Sequence, residues 1–421
     1  MKLTMKNIGV IRDGEIELDG ITVLAGLNGT GKSTASKALY SAIAPYVDLV
    51  NEILEKRADD IGGIILGSLL VPAYGGVGVP LSALKMDMDI DLDGPQSPLF
   101  YDLANKSHRI PEQYEEWVDL FPSVLNKADS KRAKKEVFPK FLAQLRNAVN
   151  RPDTEYVQYL ASRKIQSVFD GQINTIGVSE SGEISLMAGQ ETRIAWMNIE
   201  GNKVTDCSGK ELAEIPPVYL DTRHVLDALN ESKRKTPYTD ELYKLLKESL
   251  SEPTFEEYKS RERIQDMIAS VIHGKLAVST FGEFMFKDNR FSEPISLRNV
   301  ASGNKTFAVL QRLIENGALR ENAVLIIDEP ESNQHPQWQL KLAETLILLH
   351  KELGVRLFLN THSTYFLRAI EVYSNQYELS SRCHYYQTQP VDGAENLFRI
   401  QNVDGKTKLI YHEFYLPFEE L

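Results

Sequence analysis

Gly26-Leu27-Asn28-Gly29-Thr30-Gly31-Lys32-Ser33 places three glycines, a lysine and a hydroxyl in the pattern G-x-x-x-x-G-K-[ST]. These residue types at this spacing suit phosphate binding. The glycines permit backbone conformations closed to residues with a Cβ, so successive N–H groups can curl around a phosphate at a helix N-terminus. Lys32 then reaches the β and γ phosphates. Ser33 offers its hydroxyl to Mg²⁺, an ion that keeps most of its waters and needs only one or two protein oxygens. Asn28, Gly29, Thr30, Gly31, Lys32, Ser33 and Thr34 are therefore the expected nucleotide-binding set, with ATP and Mg²⁺ as cofactors.

A second group of candidates lies far along the chain. Asp328 and Glu329 end the apolar run Ala323-Val324-Leu325-Ile326-Ile327, the pattern of a central parallel strand that delivers acids at its C-terminal edge. Asp328 is expected to hold Mg²⁺ through water, and Glu329 to act as the general base on the attacking water. After a helix expected over 336–353 and stopped by Gly354, a strand over 355–360 leads into Thr361-His362-Ser363. His362 at that strand tip is placed to hydrogen-bond a γ-phosphate, although in isolation it reads equally as a satisfied turn histidine. Upstream, Ser302-Gly303 opens a helical segment over 306–316, another anion-binding helix start unless Ser302 is an ordinary cap.

Positioning these groups requires a β-hairpin, a strand over 21–25, the glycine loop and a helix within residues 1–50, with the matching second half much later. Taken in order, the phosphate loop, insertion, Ser-Gly signature, Ile-Ile-Asp-Glu-Pro and Thr-His-Ser resemble the ATP-binding-cassette class of P-loop ATPases. Within that class, Asp328-Glu329-Pro330-Glu331-Ser332-Asn333-Gln334-His335-Pro336 and Asn360-Thr361-His362-Ser363 resemble the chromosome-maintenance and repair branch. They are most similar to bacterial anti-phage ATPases related to the overcoming-lysogenization-defect family, including the ATPase subunits of PARIS, Septu and retron systems. The resemblance implies an α/β fold: a split ABC-type P-loop ATPase head, residues 1–50 and 275–421, carrying a compact mixed α/β insertion over 51–274.

It also implies a homo-dimer or higher homo-oligomer through the heads. Each nucleotide would be held by one chain's phosphate loop and the other chain's Ser302 and Gly303, with residues 331–335 coupling the two sites. Asn304, Lys305 and Gln334 depart from the family pattern. The insertion has no sustained heptads. It is expected to be helical from 111 to about 164, stranded over 173–205 with a turn at 179–182, and helical again over 239–273. A strand at 217–224 is expected to return to the core sheet, with Asp221 and Arg223 as candidates for lining the nucleotide site.

Composition restricts the partners. The 421 residues are 42% hydrophobic and 25% charged with a formal net charge of -12, so any nucleic-acid contact must be local. Clusters at 131–135, 233–235 and 259–263 are the local candidates, or else solvated faces. Two cysteines fit a reducing cytosol, and the uncharged stretch 61–84 is interrupted by Pro72, Pro80 and glycines, which argues against a membrane span. The expectation is a cytoplasmic, Mg²⁺-dependent ATPase controlling a separately encoded effector, a toxin or nuclease, in anti-phage defence. The alternative is a repair-type clamp acting on DNA ends.

Overall fold

The computed structural model describes residues 1–70, 138–189, 192–212, 216–221, 229–230, 236–250 and 254–419. The chain divides into two compact units, residues 1–47 with 161–421, and residues 48–160. These limits differ from the sequence boundaries at 50 and 274, because the strands expected inside the insertion hydrogen-bond to the head.

The larger unit is built on an eleven-stranded sheet of order β6-β5-β4-β1-β2-β14-β13-β3-β12-β11-β7. Its strands are β1 (Lys2–Ile8), β2 (Ile11–Glu17), β3 (Ile21–Ala25), β4 (Gly182–Ala188), β5 (Thr192–Glu200), β6 (Lys203–Gly209), β7 (Val218–Asp221), β11 (Val324–Asp328), β12 (Arg356–Thr361), β13 (Cys383–Val391) and β14 (Ala394–Asn402). Strands β13, β3, β12, β11 and β7 are mutually parallel. Buried on both faces, β3 and β11 have every residue covered and are apolar apart from Thr22 and the terminal Asp328. The β1–β2 hairpin and β4 to β6 are antiparallel, and β2 alternates buried Ile11, Gly14 and Ile16 with exposed Asp13, Glu15 and Glu17. Strand β4 pairs with β1, with Leu3 opposite Leu186, so the region 182–209 completes the head sheet. Strand β7 returns to the core sheet beside β11, as its sequence predicts.

Helix α1 (Lys32–Ile43) follows the glycine loop, and its small buried residues Ala35, Ser36, Ala38 and Ala42 let it lie close to the sheet. Helices α2 (Leu49–Leu70) and α3 (Phe138–Asn150) pack on each other in the smaller unit, where Arg151 Nη1 meets Asp60 Oδ2 at 3.0 Å. Helices α4 (Asp153–Val168), α5 (Pro237–Lys247) and α6 (Phe255–Val271) fall largely within the expected helical stretches, of which 111–137 lies outside the described residues. A three-stranded sheet, β8 (Gly274–Val278), β9 (Phe284–Asp288) and β10 (Ile295–Ser296), precedes α7 (Ser302–Glu315). Helix α8 (Pro336–Leu353) has Pro336 in its first turn and Gly354 in the left-handed region at φ 66° as its C-terminal stop. Helices α9 (Thr364–Gln376) and α10 (Lys408–Glu419) complete the unit.

Two of the three basic clusters, 131–135 and 233–235, lie outside the described residues, as do Arg223 and residues 71–84. The third lies on α6 within the described residues. Arg261 is 5% exposed, Arg263 pairs with Glu352 at 3.2 Å, and the Lys259 ammonium sits 4.4 Å from the centre of the Phe255 ring. No helix among the described residues is long and apolar enough to cross a membrane.

Candidate functional site

The parallel strands deliver the candidate residues to one edge. In register, Ala25 at the end of β3 lies beside Thr361 of β12 and Gln387 of β13, and Asp328 of β11 lies beside Asn360 and Asp221. The crevice beyond the carboxyl ends of parallel strands is where open α/β sheets hold ligands.

The loop from Gly26 to Gly31 is shaped by close approach. A Cβ on Gly26 would lie 1.9 Å from Thr388 Oγ1, and one on Gly31, where φ is 98°, would lie 2.4 Å from Ile11 Cδ1. Only glycine fits both places. Thr388 Oγ1 and Thr30 Oγ1 are 2.7 Å apart, and Thr30 Oγ1 also donates to Leu27 O at 2.8 Å. Strand β13 thus buttresses the loop. The buried Lys32 ammonium donates to Gly26 O and Leu27 O, each at 2.8 Å, which keeps it at the loop's centre. Asn28 and Gly29 are exposed at the tip.

Asp328 is 1% exposed. Its Oδ2 accepts from the Tyr219 hydroxyl at 2.7 Å, and its Oδ1 from Ser36 Oγ at 2.5 Å and from Asn360 Nδ2. Asn360 Nδ2 also donates to Ser36 Oγ at 2.7 Å and to Lys32 O at 2.8 Å, so one amide joins the acid to the first turn of α1. A carboxylate holding several donors is fixed in direction.

Glu329 follows with φ 49°, a left-handed conformation that costs a residue with a Cβ about 1–2 kcal/mol. Its N–H donates to Asn360 O at 2.9 Å, and its Oε2 accepts from Ser332 Oγ at 3.0 Å. Strain held at a strand end turns the carboxylate away from the direction a regular strand would give it. The half-exposed His362 brings Nδ1 to 3.8 Å from Glu329 Oε1 and 3.6 Å from Glu331 Oε1. Glu331 is buried, which pushes its carboxyl above the usual range.

Ser302 and Gly303 open α7, away from this cluster in sequence but against the loop that follows Glu329. A Cβ on Gly303 would lie 2.6 Å from Trp338 Cε3 and 3.7 Å from Gln334 Cγ. Gln334, a departure from the family pattern, closes its own loop by donating Nε2 to Pro330 O at 2.8 Å.

The donor set fits Mg²⁺ and a nucleoside triphosphate. The oxygens at hand are the Ser33 hydroxyl and the carboxylates of Asp328 and Glu329, and among the described residues no group of three or more His, Cys, Asp or Glu side chains forms a cage that would hold a metal unaided. A cation that shares phosphate oxygens and keeps its waters needs no such cage. Tyr219, Ser36, Asn360 and Thr361 complete the site although sequence reasoning assigned them no role. The Asn360-Thr361-His362-Ser363 run is a signal for the last two alone.

Two segments of the chain match known domain families. Residues 208–368 match the family described as "AAA domain, putative AbiEii toxin, Type IV TA system", and residues 2–45 match a family described as "AAA domain". Both matches are to AAA domain families, and neither spans half of the chain. Segment 2–45 contains the phosphate loop and segment 208–368 the Asp328 strand, the halves that the sheet unites. No curated protein matches the sequence.

Among solved structures, the chain is similar to the SMC head domain from Thermotoga maritima at 10% identity, covering 96% of this chain and 98% of that one, with a TM-score of 0.39. An SMC head bound to the C-terminal winged-helix domain of ScpA gives 9% identity, coverage of 97% and 98%, and a TM-score of 0.44. A Pyrococcus furiosus SMC head with an extended coiled coil, bound to the C-terminal domain of ScpA, gives 10%, 98% and 98%, and 0.33. At these TM-scores nothing about this chain follows from the likeness.

Proposed function

We propose that the protein hydrolyses ATP and uses its nucleotide state to control a separately encoded effector. One observation carries the reading: a single sheet edge brings Lys32, Asp328, Glu329 and His362 together, with Asn360 bonded both to the Lys32 carbonyl and to Asp328. A site that only stored nucleotide would have no use for Glu329, held in a strained conformation beside His362.

In this mechanism Lys32 and the N–H groups of residues 28–34 take the phosphate oxygens. Ser33 and Asp328 would hold Mg²⁺, which would supply charge neutralisation at the transferring phosphate when bound. Glu329 accepts the proton of the attacking water, and His362 donates to the γ-phosphate. Ser302 and Gly303 complete the site of a second copy, which makes the working form a homo-dimer or larger.

The description of the family matched by residues 208–368 names a toxin and a toxin–antitoxin system, and this supports an effector-control role in anti-phage defence. The DNA-clamp reading has less behind it, since in the one described basic cluster Arg261 is buried and Arg263 is paired with Glu352.

The test is Glu329→Gln. Turnover should fall by about 10²–10⁴-fold while ATP stays bound and the native mass rises with ATP and Mg²⁺. Equal turnover in mutant and wild type would remove the base. Co-purification with the product of the neighbouring gene, in the ATP-bound state alone, checks the effector.

A further inference from the structure

The ends of β11 and β12 are laced by hydrogen bonds that the phosphate-binding roles do not use. Glu331 presents one oxygen, Oε1, to two donors: the Thr361 hydroxyl at 2.7 Å and the His362 N–H at 3.0 Å. The other oxygen, Oε2, is buried without a hydrogen-bond partner. Thr361 Oγ1 in turn accepts from the Ser363 N–H at 3.0 Å. Ser363 Oγ caps α9 by accepting from the Phe366 N–H at 3.1 Å, and donates to Gln339 Oε1 at 2.9 Å. Gln339 Nε2 donates to Gln334 O at 3.1 Å, and Gln334 Nε2 to Pro330 O. The ring closes between residues 330–339 and 361–363, and its Gln334 and Trp338 side chains border Gly303 at the start of α7.

A buried carboxyl with one oxygen unpartnered is a costly choice, because the desolvation of that oxygen is not returned. The cost is confined to one atom while the other fixes two successive residues of the histidine turn. An amide or a neutral carboxyl would keep the same acceptor at Oε1, whereas alanine would release both donors.

We propose that Glu331 is a positioning residue that ties His362 to the loop at 330–335 and, through Gln334 and Trp338, to Gly303. Engagement of the γ-phosphate at His362 and presentation of the signature start to a second copy then become one event. The inference rests on the ATPase reading and assigns its coupling element.

The experiment compares the full-length wild type with Glu331→Ala, Glu331→Gln, His362→Ala and the Glu331→Ala/His362→Ala pair, by ATP turnover and by native mass with ATP and Mg²⁺. Glu331→Ala should lower kcat by about 10–100-fold, the loss typical of groups that orient a site residue, with KM moved far less, and should lose the ATP-dependent rise in mass. Glu331→Gln should restore most of both. The double variant should be no slower than the slower single one, as expected when one residue acts through the other.

Losses that multiply in the double variant, or a Glu331→Ala protein that turns over like wild type, would overturn the proposal. Should Glu331→Ala not fold, Glu331→Gln and Thr361→Val decide it: the first is expected to be active and the second slowed, and the reverse order overturns it. A wild type that does not hydrolyse ATP defeats the ATPase reading and this inference together. An active wild type beside an unaffected Glu331→Ala defeats the inference alone.

Discussion

The Tyr219 hydroxyl donates to Asp328 Oδ2 at 2.7 Å across 109 residues of sequence. Burial pushes the Tyr219 phenol far up, so it stays a donor at any working pH. With Ser36 and Asn360 on the other oxygen, it fixes the direction of the acid expected to face Mg²⁺. Tyr219→Phe keeps the ring and deletes that donor. The expected result is about a tenfold or greater rise in the Mg²⁺ concentration needed for half-maximal turnover, read by titrating Mg²⁺ at saturating ATP.

Lys32 supplies the positive charge of the loop. Lys32→Met should weaken ATP binding by about 10–100-fold, the worth of one to two charge-assisted hydrogen bonds. Titration calorimetry checks this, with circular dichroism to confirm the fold.

Gly303 has no room for a side chain. Gly303→Ala places a methyl 2.6 Å from the Trp338 ring, and a rigid indole that packs edge-on to Phe307 cannot yield cheaply. The expected loss is about 1–3 kcal/mol of stability, read from urea unfolding. Adding Trp338→Leu should return part of it.

Glu331 gives stability a pH dependence of known sign. Its carboxyl is raised in the folded chain by burial, against the pull of Thr361, the loop N–H groups and nearby His362. Below the ordinary carboxylate range the group is protonated folded and unfolded alike, and contributes no difference. As pH rises through that range to the folded value the unfolded chain releases its proton first, and stability falls. Glu331→Gln removes this slope. The variant should melt higher than wild type at pH 8, with the two curves converging near pH 4. A constant offset across that range would contradict the assignment.

Much of the site could be read in the sequence because its parts are local. The glycine loop, the apolar run ending in Asp328 and Glu329, and the strand before His362 each carry their signal within a few residues, and helix α8 runs from Pro336 to Leu353 as its proline and glycine predict. What escaped depends on register between distant strands. Tyr219 matters because β7 places Asp221 beside Asp328, which offsets the tyrosine to reach across the sheet, and no local pattern encodes that. The strands at 182–209 have the alternation of any half-buried ribbon, so nothing in them distinguished a separate insertion from an extension of β1. Ser36 was passed over because it lies one turn beyond the motif, where it reads as one more small residue of an alanine-rich helix.

The bond between Thr30 and Thr388 spans 358 positions of the chain. At about 5–20 residues per second of synthesis, the glycine loop leaves the ribosome roughly 20–70 s before the strand that buttresses it. For most of that interval β3, buried along its whole length in the folded protein, lacks both of its eventual neighbours, β12 and β13. The newborn chain therefore carries β3 without these partners while the roughly 330 residues between β3 and β12 are made. Nucleotide can act as a folding ligand only after residues 383–391 have been made and the loop has its buttress.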